Sequence, residues 1–288
     1  MDGVNRMHSL KQKGRMKQRI IKMAKDITPP ILLDIYLKHF LKTTDVFGGS
    51  YKTWTEARKA SGGYDSDLIL NKVRDALLKV KNGDAVYERD SVLFDKVEYS
   101  WPLLAGLLWI ASRNGNRLNL VDFGGSLGSS YFQNRKFLAH LPELKWNIVE
   151  QKKFVECGKR YFEDEYLKFY YNVDDCLKEQ HADTILLSSV IQYLEKPYDL
   201  LEEFIRNRFQ YIIIDRTAFI DTGDDRITVQ KVPPEIYQAS YPAWFFNRQK
   251  FLDYFSGEYE LIADFESNDR ADIPSVFKGY IFALKHAD

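Results

Sequence analysis

Five short apolar runs in the later part of a 288-residue chain constrain its fold more than any other feature of the sequence. They lie at residues 118–122, 146–150, 167–171, 184–188 and 211–215, and are rich in Leu, Ile and Val. Runs this short, bounded by polar and turn-forming residues, read as strands. Helix-patterned stretches near 129–140, 152–163 and 197–208 separate several of them. Strands joined by helical crossovers pair in parallel, and helices then cover both faces, so a Rossmann-like α/β sheet is predicted. Two further runs, 259–265 and 277–284, leave little room for a crossover helix between them, so the last strand is predicted to run antiparallel.

The part before residue 117 reads as helical and loop-rich. Helices are predicted over 31–41, from Thr53 as N-cap, over 66–81 with Leu68, Val73, Leu77 and Val80 at helical spacing, and over the apolar run 101–111. That run is about half the length needed to span a bilayer and reads as a buried helix. Residues 47–51 and 62–64 read as turns. The organisation that follows is a basic segment over 1–30, an N-terminal helical cap over 31–116, and the α/β domain over 117–288 with an insert at 218–246.

Between Arg6 and Lys25 there is no acidic residue, while Lys11, Lys13, Arg15, Lys17, Arg19 and Lys22 alternate with apolar positions. This is either a solvated helix or a basic amphipathic surface for peripheral contact with a membrane or an anionic acceptor. Over the whole chain 41 Lys and Arg balance 41 Asp and Glu, which removes a global electrostatic case for nucleic acid. Cys157 and Cys176 cannot make a disulfide framework, read as core or surface thiols, and fit a reducing compartment. No apolar run of signal-peptide type opens the chain, so a cytoplasmic location is expected, with the inner membrane surface as the peripheral alternative. His8, His39, His140, His181 and His286 are scattered, so neither a histidine triad nor a metal site is expected.

The strongest local pattern is Val121-Asp122-Phe123-Gly124-Gly125-Ser126-Leu127-Gly128, between the first parallel strand and a helix. Glycines there allow a sharp turn and close approach of a ligand. The second strand ends in Glu150, where an acid can accept hydrogen bonds from both hydroxyls of a ribose. Together these point to an adenosine-containing ligand. The spacing G-x-G-x-x-G of a dinucleotide fingerprint is missing, and Asp122 would repel a pyrophosphate but suits an ammonium group. A nicotinamide-dependent oxidoreductase is disfavoured on the same ground.

The loop D-x-G-G-x-x-G resembles motif I of class I methyltransferases, with Asp122, Gly124 and Gly128 in matching positions, Gly125 between them, and Ser126 in place of the middle glycine. Further blocks extend the likeness: Phe47-Gly-Gly-Ser-Tyr51, Tyr87-Glu-Arg-Asp-Ser91, Tyr99-Ser-Trp-Pro102, Gln192-Tyr-Leu194, Ile214-Asp-Arg-Thr217, Ile227-Thr-Val-Gln-Lys-Val-Pro233 and Ala239-Ser-Tyr-Pro-Ala-Trp244. In this order they resemble a bacterial family of class I S-adenosylmethionine-dependent methyltransferases associated with surface-polysaccharide loci, over roughly residues 45–285. The resemblance implies S-adenosylmethionine as cofactor and S-adenosylhomocysteine as product. It implies cofactor contacts from Asp122, the loop 124–128, Glu150, Ser188 and Gln192, with Asp174 near the adenine amino group.

Asp215 and Arg216 end the fifth strand on the same edge, and a charged pair there suits a site better than packing. Asp215 is the candidate base for a hydroxyl acceptor, and Arg216 a candidate acceptor contact. The insert is long for a connection and carries Gln230, Tyr237, Tyr241 and Trp244, which suit stacking on a sugar or, equally, a small apolar subcluster. The function expected is O-methylation of a saccharide or related polar small molecule. The alternative is a catalytically inactive S-adenosylmethionine-binding or regulatory protein of the same fold.

Overall fold

A computed structural model describes residues 46–63, 66–89, 91–232 and 239–285, all within the larger of two compact units, Val46–Asp288. The basic N-terminal segment, the helix predicted over 31–41, Asp90 and Tyr237 lie outside the described residues.

The alternating core begins at β4 (Arg117–Phe123), once β1 (Phe47–Tyr51), α1 (Trp54–Ala60), α2 (Ser66–Asn82), the hairpin of β2 (Tyr87–Arg89) and β3 (Val92–Phe94), and α3 (Trp101–Arg113) have passed. It continues through α4 (Ser129–Leu138), β5 (Glu143–Val149), α5 (Lys152–Tyr161), β6 (Leu167–Tyr170), α6 (Val173–Gln180), β7 (Thr184–Ser188), α7 (Pro197–Arg206) and β8 (Tyr211–Ile220). Then come β9 (Arg226–Lys231), β10 (Ser240–Asn247), α8 (Arg248–Phe255), β11 (Tyr259–Glu266) and β12 (Val276–Leu284).

Across the sheet β6, β5, β4, β7 and β8 pair in parallel, while β12 lies antiparallel against the other edge of β8 and pairs in turn with β11. Strand order runs outward from β4 to β6 and then reverses to β7, which makes the carboxyl ends of β4 and β7 the switch point at which ligands of open α/β sheets bind. This is a Rossmann-like α/β architecture, with the last strand antiparallel as the sequence predicts.

Side-chain alternation sorts the strands between two apolar layers. Leu118, Leu120, Trp146, Ile148, Leu186 and Ile213 face one layer, packed with α2, α3, α4 and α5. Val121, Val149, Ile185, Leu187, Ile212 and Ile214 face the other, with α6, α7 and α8. Helix α3 is apolar nearly all round, and Leu107 and Ile110 are fully buried in it. Cys157 and Cys176 are buried free thiols in opposite layers. Among the described residues no helix is long and apolar enough to cross a membrane.

Three stretches differ from the sequence reading. Residues 47–51, read as a turn, form β1, which pairs antiparallel with β9. Within the segment read as an insert, β8 runs on to Ile220, and β9 and β10 extend the sheet; β10 returns parallel to β8 at Phe246–Asn247. The cause is burial of Ile227 and Val229 against Ala57, with Phe245 buried behind them beside Phe47, an apolar set too large to leave in a solvated loop. The stretch after β6, for which no helix is predicted, forms α6, opened by Asp174 and Asp175 and capped by Asn172, which accepts the Asp175 N–H.

Candidate functional site

Period-two alternation explains how four polar side chains reach one place. Asp122 has the parity of Leu118 and Leu120, Glu150 that of Trp146 and Ile148, Ser188 that of Leu186, and Asp215 that of Ile213. All four therefore lie on one face of the sheet; Asp122, Glu150 and Ser188 stand within one residue of the carboxyl ends of their strands, whereas Asp215, expected to end its strand, lies midway along β8, level with Ser188 at the end of β7. The loop after β4 curls over that edge. Gly124 and Gly128 have φ of 71° and 104°, and Ser126, which stands where motif I has a glycine, has φ 56°. The serine thus keeps the left-handed backbone that the glycine position calls for. A Cβ on Gly125 would come within 2.5 Å of the Asp122 carboxyl, so the loop can fold back onto that acid only without a side chain there.

Asp122 is buried and accepts a 2.9 Å hydrogen bond from Trp146 Nε1. Burial pushes its carboxyl up to about 7, against the pull of the Trp146 bond and with a further push from the charge of Glu150. Glu150 is also raised by burial, and the N–H groups of Gln151 and Ser126 draw it partly back. Its carboxylate therefore ties the end of β5 to the glycine loop.

Midway along β8 the ladder is irregular. Thr217 opposes Lys278 and Ile214 opposes Tyr280, so Asp215 and Arg216 share the single residue Gly279 across from them, and Arg216 adopts φ 53°. A bulge of this kind re-aims the side chains it contains. Asp215, 1% exposed, accepts a 2.9 Å bond from Ser188 Oγ, while its Oδ1 has no hydrogen-bond partner among the described residues. Burial raises its carboxyl, with Arg216 and Ser188 pulling the other way. Arg216 grips Asp269 with two N–H groups, at 3.1 and 3.2 Å. Burial alone would raise Asp269, but the Arg216 charge, the bonds from Arg216 and Ser267, and the Arg89 charge hold it below the usual carboxylate range.

These groups surround a cleft of about 370 Å3, within the range of small-molecule sites. Asp122, Gly124, Gly125, Ser126, Glu150 and Ser188 line it, and so do Arg216, Gln230 and Tyr241 from the acceptor set. The remaining candidates stand elsewhere. Gly128 is the N-cap of α4, packed under the loop against Ile148 and Leu167. Asp174 is exposed in the first turn of α6 and does not line the cleft. Gln192 is buried and braces the floor, donating to Arg216 O at 3.0 Å. Trp244 is stacked parallel to Trp54 and Phe246 at 6.0 and 6.2 Å, and its Nε1 donates to Leu194 O, so its rings and its donor are spent on packing. Asp215 opens into an adjoining compartment rather than the cleft proper.

Sequence reasoning gave no role to Glu88, Arg89, Asp269 or Arg270, all of which line the cleft. Glu88 is 1% exposed and accepts from Ser129 Oγ and the Ser91 N–H, each at 2.6 Å, so β2 is fastened to the start of α4 beside the glycine loop. The block Tyr87–Ser91 was visible as a motif, and a buried acid within it was its only clue. Nothing local marks Asp269 and Arg270, which arrive from the connection between β11 and β12.

Several solved structures bear a partial likeness to the chain. The N-terminal domain of EvdMO1, crystallised in the presence of S-adenosylhomocysteine and D-fucose, matches 77% of this chain over 98% of its own, at 12% identity and a TM-score of 0.46. The glycopeptide N-methyltransferase MtfA, complexed with S-adenosylmethionine, matches 63% of this chain over 94% of its own, at 9% identity and a TM-score of 0.46. The 1,6-didemethyltoxoflavin-N1-methyltransferase of Burkholderia thailandensis, with bound 1,6-didemethyltoxoflavin and S-adenosylhomocysteine, matches 78% of this chain over 95% of its own, at 11% identity and a TM-score of 0.39. No family model matches the chain, and no curated protein sequence does.

Proposed function

We propose that this protein is an S-adenosylmethionine-dependent methyltransferase that methylates a hydroxyl of a saccharide or related polar small molecule. The observation that carries the reading is the convergence of Asp122, Glu150, Ser188 and Asp215 on one face at the switch point, around a loop that only glycine at 125 allows to close on Asp122. The residues suit the cofactor: the Asp122 carboxylate for its ammonium, Glu150 for its ribose hydroxyls, and the backbone of 124–126 for the chain between them. When bound, the cofactor would supply a methyl group already activated by its sulfonium charge. The residues must then align the acceptor in line with that methyl and exclude water. Asp215 would take the proton that the acceptor hydroxyl loses when the bound cofactor supplies its methyl group. The resemblance to enzymes associated with surface-polysaccharide loci favours a saccharide acceptor and a cytoplasmic enzyme, with the basic N-terminal segment as a peripheral membrane contact.

Calorimetry with S-adenosylhomocysteine and with a nicotinamide dinucleotide tests the ligand, and binding of the first alone is expected. Glycans of cells with and without the protein, compared by mass spectrometry for the mass of one methylene, test turnover. A protein that binds S-adenosylhomocysteine and changes no glycan is the inactive or regulatory form of this fold.

A further inference from the structure

Beside the cleft lies a second compartment of about 320 Å3, joined to it across Arg89, Ser129, Ser188, Arg216 and Asp269. Its floor is the middle of β8 at Asp215, whose buried Oδ1 lacks a hydrogen-bond partner among the described residues. Its walls are the segment Tyr99–Leu103 at the start of α3 and residues 266–269 after β11. Trp101, in the first of these walls, is 59% exposed although its ring is braced by Tyr99 at 4.9 Å and by Phe137 at 5.7 Å. A large ring held rigid by two others and still open to solvent loses little conformational freedom when something stacks on it. An acceptor oxygen buried without a donor costs free energy until a hydroxyl or N–H reaches it.

We infer that this compartment is the acceptor site, and that it holds a neutral saccharide ring whose apolar face lies on Trp101 while a hydroxyl donates to Asp215 Oδ1. The inference deepens the methyltransferase reading and rests on it. One apolar face and a rim of hydroxyl donors is the shape a hexose offers, and it answers both features at once. The charges lining the compartment argue against an anionic sugar. Arg216 is taken up by Asp269, and Arg89 is outnumbered by Glu98, Glu266 and Asp215. The site differs from the one the sequence suggests, because Trp244 is committed to packing and Tyr241 lines the cofactor cleft.

The full-length protein, saturated with S-adenosylhomocysteine, is mixed in turn with methyl glucopyranoside, methyl galactopyranoside, methyl mannopyranoside and glucuronate, and binding is read by saturation-transfer NMR. At least one neutral glycoside should receive saturation, strongest on one face of its ring, and more than glucuronate does. Trp101→Ala should weaken that binding by about fivefold or more, and Trp101→Phe by less. Both variants should bind S-adenosylhomocysteine as wild type does, which also reports that they fold. No transfer to any neutral glycoside, preference for glucuronate, or wild-type sugar binding by Trp101→Ala overturns the assignment. Trp101-dependent sugar binding by a protein that does not bind S-adenosylhomocysteine would leave the saccharide site standing and sink the methyltransferase reading instead.

Discussion

Replacing Glu150 by alanine removes an acid that serves both the candidate cofactor and the loop that would hold it. An ionised carboxylate offers about four acceptor positions. The N–H groups of Gln151 and Ser126 occupy two of them, which leaves two for ribose hydroxyls. Each charge-assisted bond contributes about 1.5–3 kcal/mol. If a single bond is lost at the lower figure, affinity falls about tenfold, and loss of both bonds takes it past a hundredfold. The assay is calorimetry with S-adenosylhomocysteine, which needs no knowledge of the acceptor. Glu150→Gln keeps one oxygen for a hydroxyl or for Ser126 and should lose less than the alanine variant. Thermal unfolding run alongside detects loosening of the loop, since alanine also frees the Ser126 N–H. A folded Glu150→Ala protein with wild-type affinity would falsify the ribose role and reduce Glu150 to a staple between β5 and the loop.

Asp122, raised to about 7, keeps a proton in the ligand-free fold that the unfolded chain loses near its ordinary value of 3.8, so the stability of the ligand-free protein should fall as pH rises through that window. Asp122→Asn should show a smaller fall, the remainder coming from other buried acids such as Glu150 and Asp215, and wild-type affinity for S-adenosylhomocysteine should weaken below about pH 7, where the acid no longer meets the ammonium as a charge; pH-independent affinity counts against the contact. Asp215→Asn should leave S-adenosylhomocysteine binding intact but slow methyl transfer by about 100-fold or more, and the acid limb of the wild-type pH–rate profile should lie above the usual carboxylate range; full activity in the variant removes Asp215 as base. A Cβ at residue 124 would sit 2.3 Å from Val190 Cγ2 on a backbone with φ 71°, so Gly124→Ala should cost at least about 1–2 kcal/mol in denaturant unfolding and lose the ligand, and a variant as stable and as tight-binding as wild type contradicts the loop geometry. Trp244→Ala should lower stability by a good part of the ~3–5 kcal/mol typical of aromatic truncation while sparing ligand affinity; unchanged unfolding would mean that the Trp54–Trp244–Phe246 stack contributes little.

The parts of the fold legible in the sequence were those where one local pattern has one structural outcome. The runs at 118–122, 184–188 and 211–215 are too short and too apolar to be anything but buried strands, and the loop between Asp122 and Gly128 sits where the backbone has to turn. The parity that gathers Asp122, Glu150, Ser188 and Asp215 on one face could be counted from the sequence once those strands were accepted. Strands β1, β9 and β10 were not legible, because Phe47-Gly-Gly-Ser-Tyr reads locally as a turn and becomes a strand only when Gln230 and Ile227 are beside it. The same holds for Trp244 and Trp101. Both are indoles near turn signals, and their fates diverge through their neighbours in space: the distant Trp54 covers one, while the nearby Tyr99 and the distant Phe137 brace the other without covering it.

The pairing of β1 with β9 has a consequence for the order in which the chain can assemble. Val46 and Phe47 donate their N–H groups to Asp272, 226 and 225 residues further along, and Phe47 forms part of the cleft wall. During synthesis from the N-terminus, β4, β5 and β6 can pair as they emerge, but β1 has no partner until β9 and then the segment around Asp272 have left the ribosome. Closing so long a loop is slow compared with zipping neighbouring strands. The parallel sheet therefore forms first as an open platform, and the wall contributed by Phe47 is fitted last. A chain halted before residue 226 would carry the glycine loop and its acids with that side of the cleft still open to water.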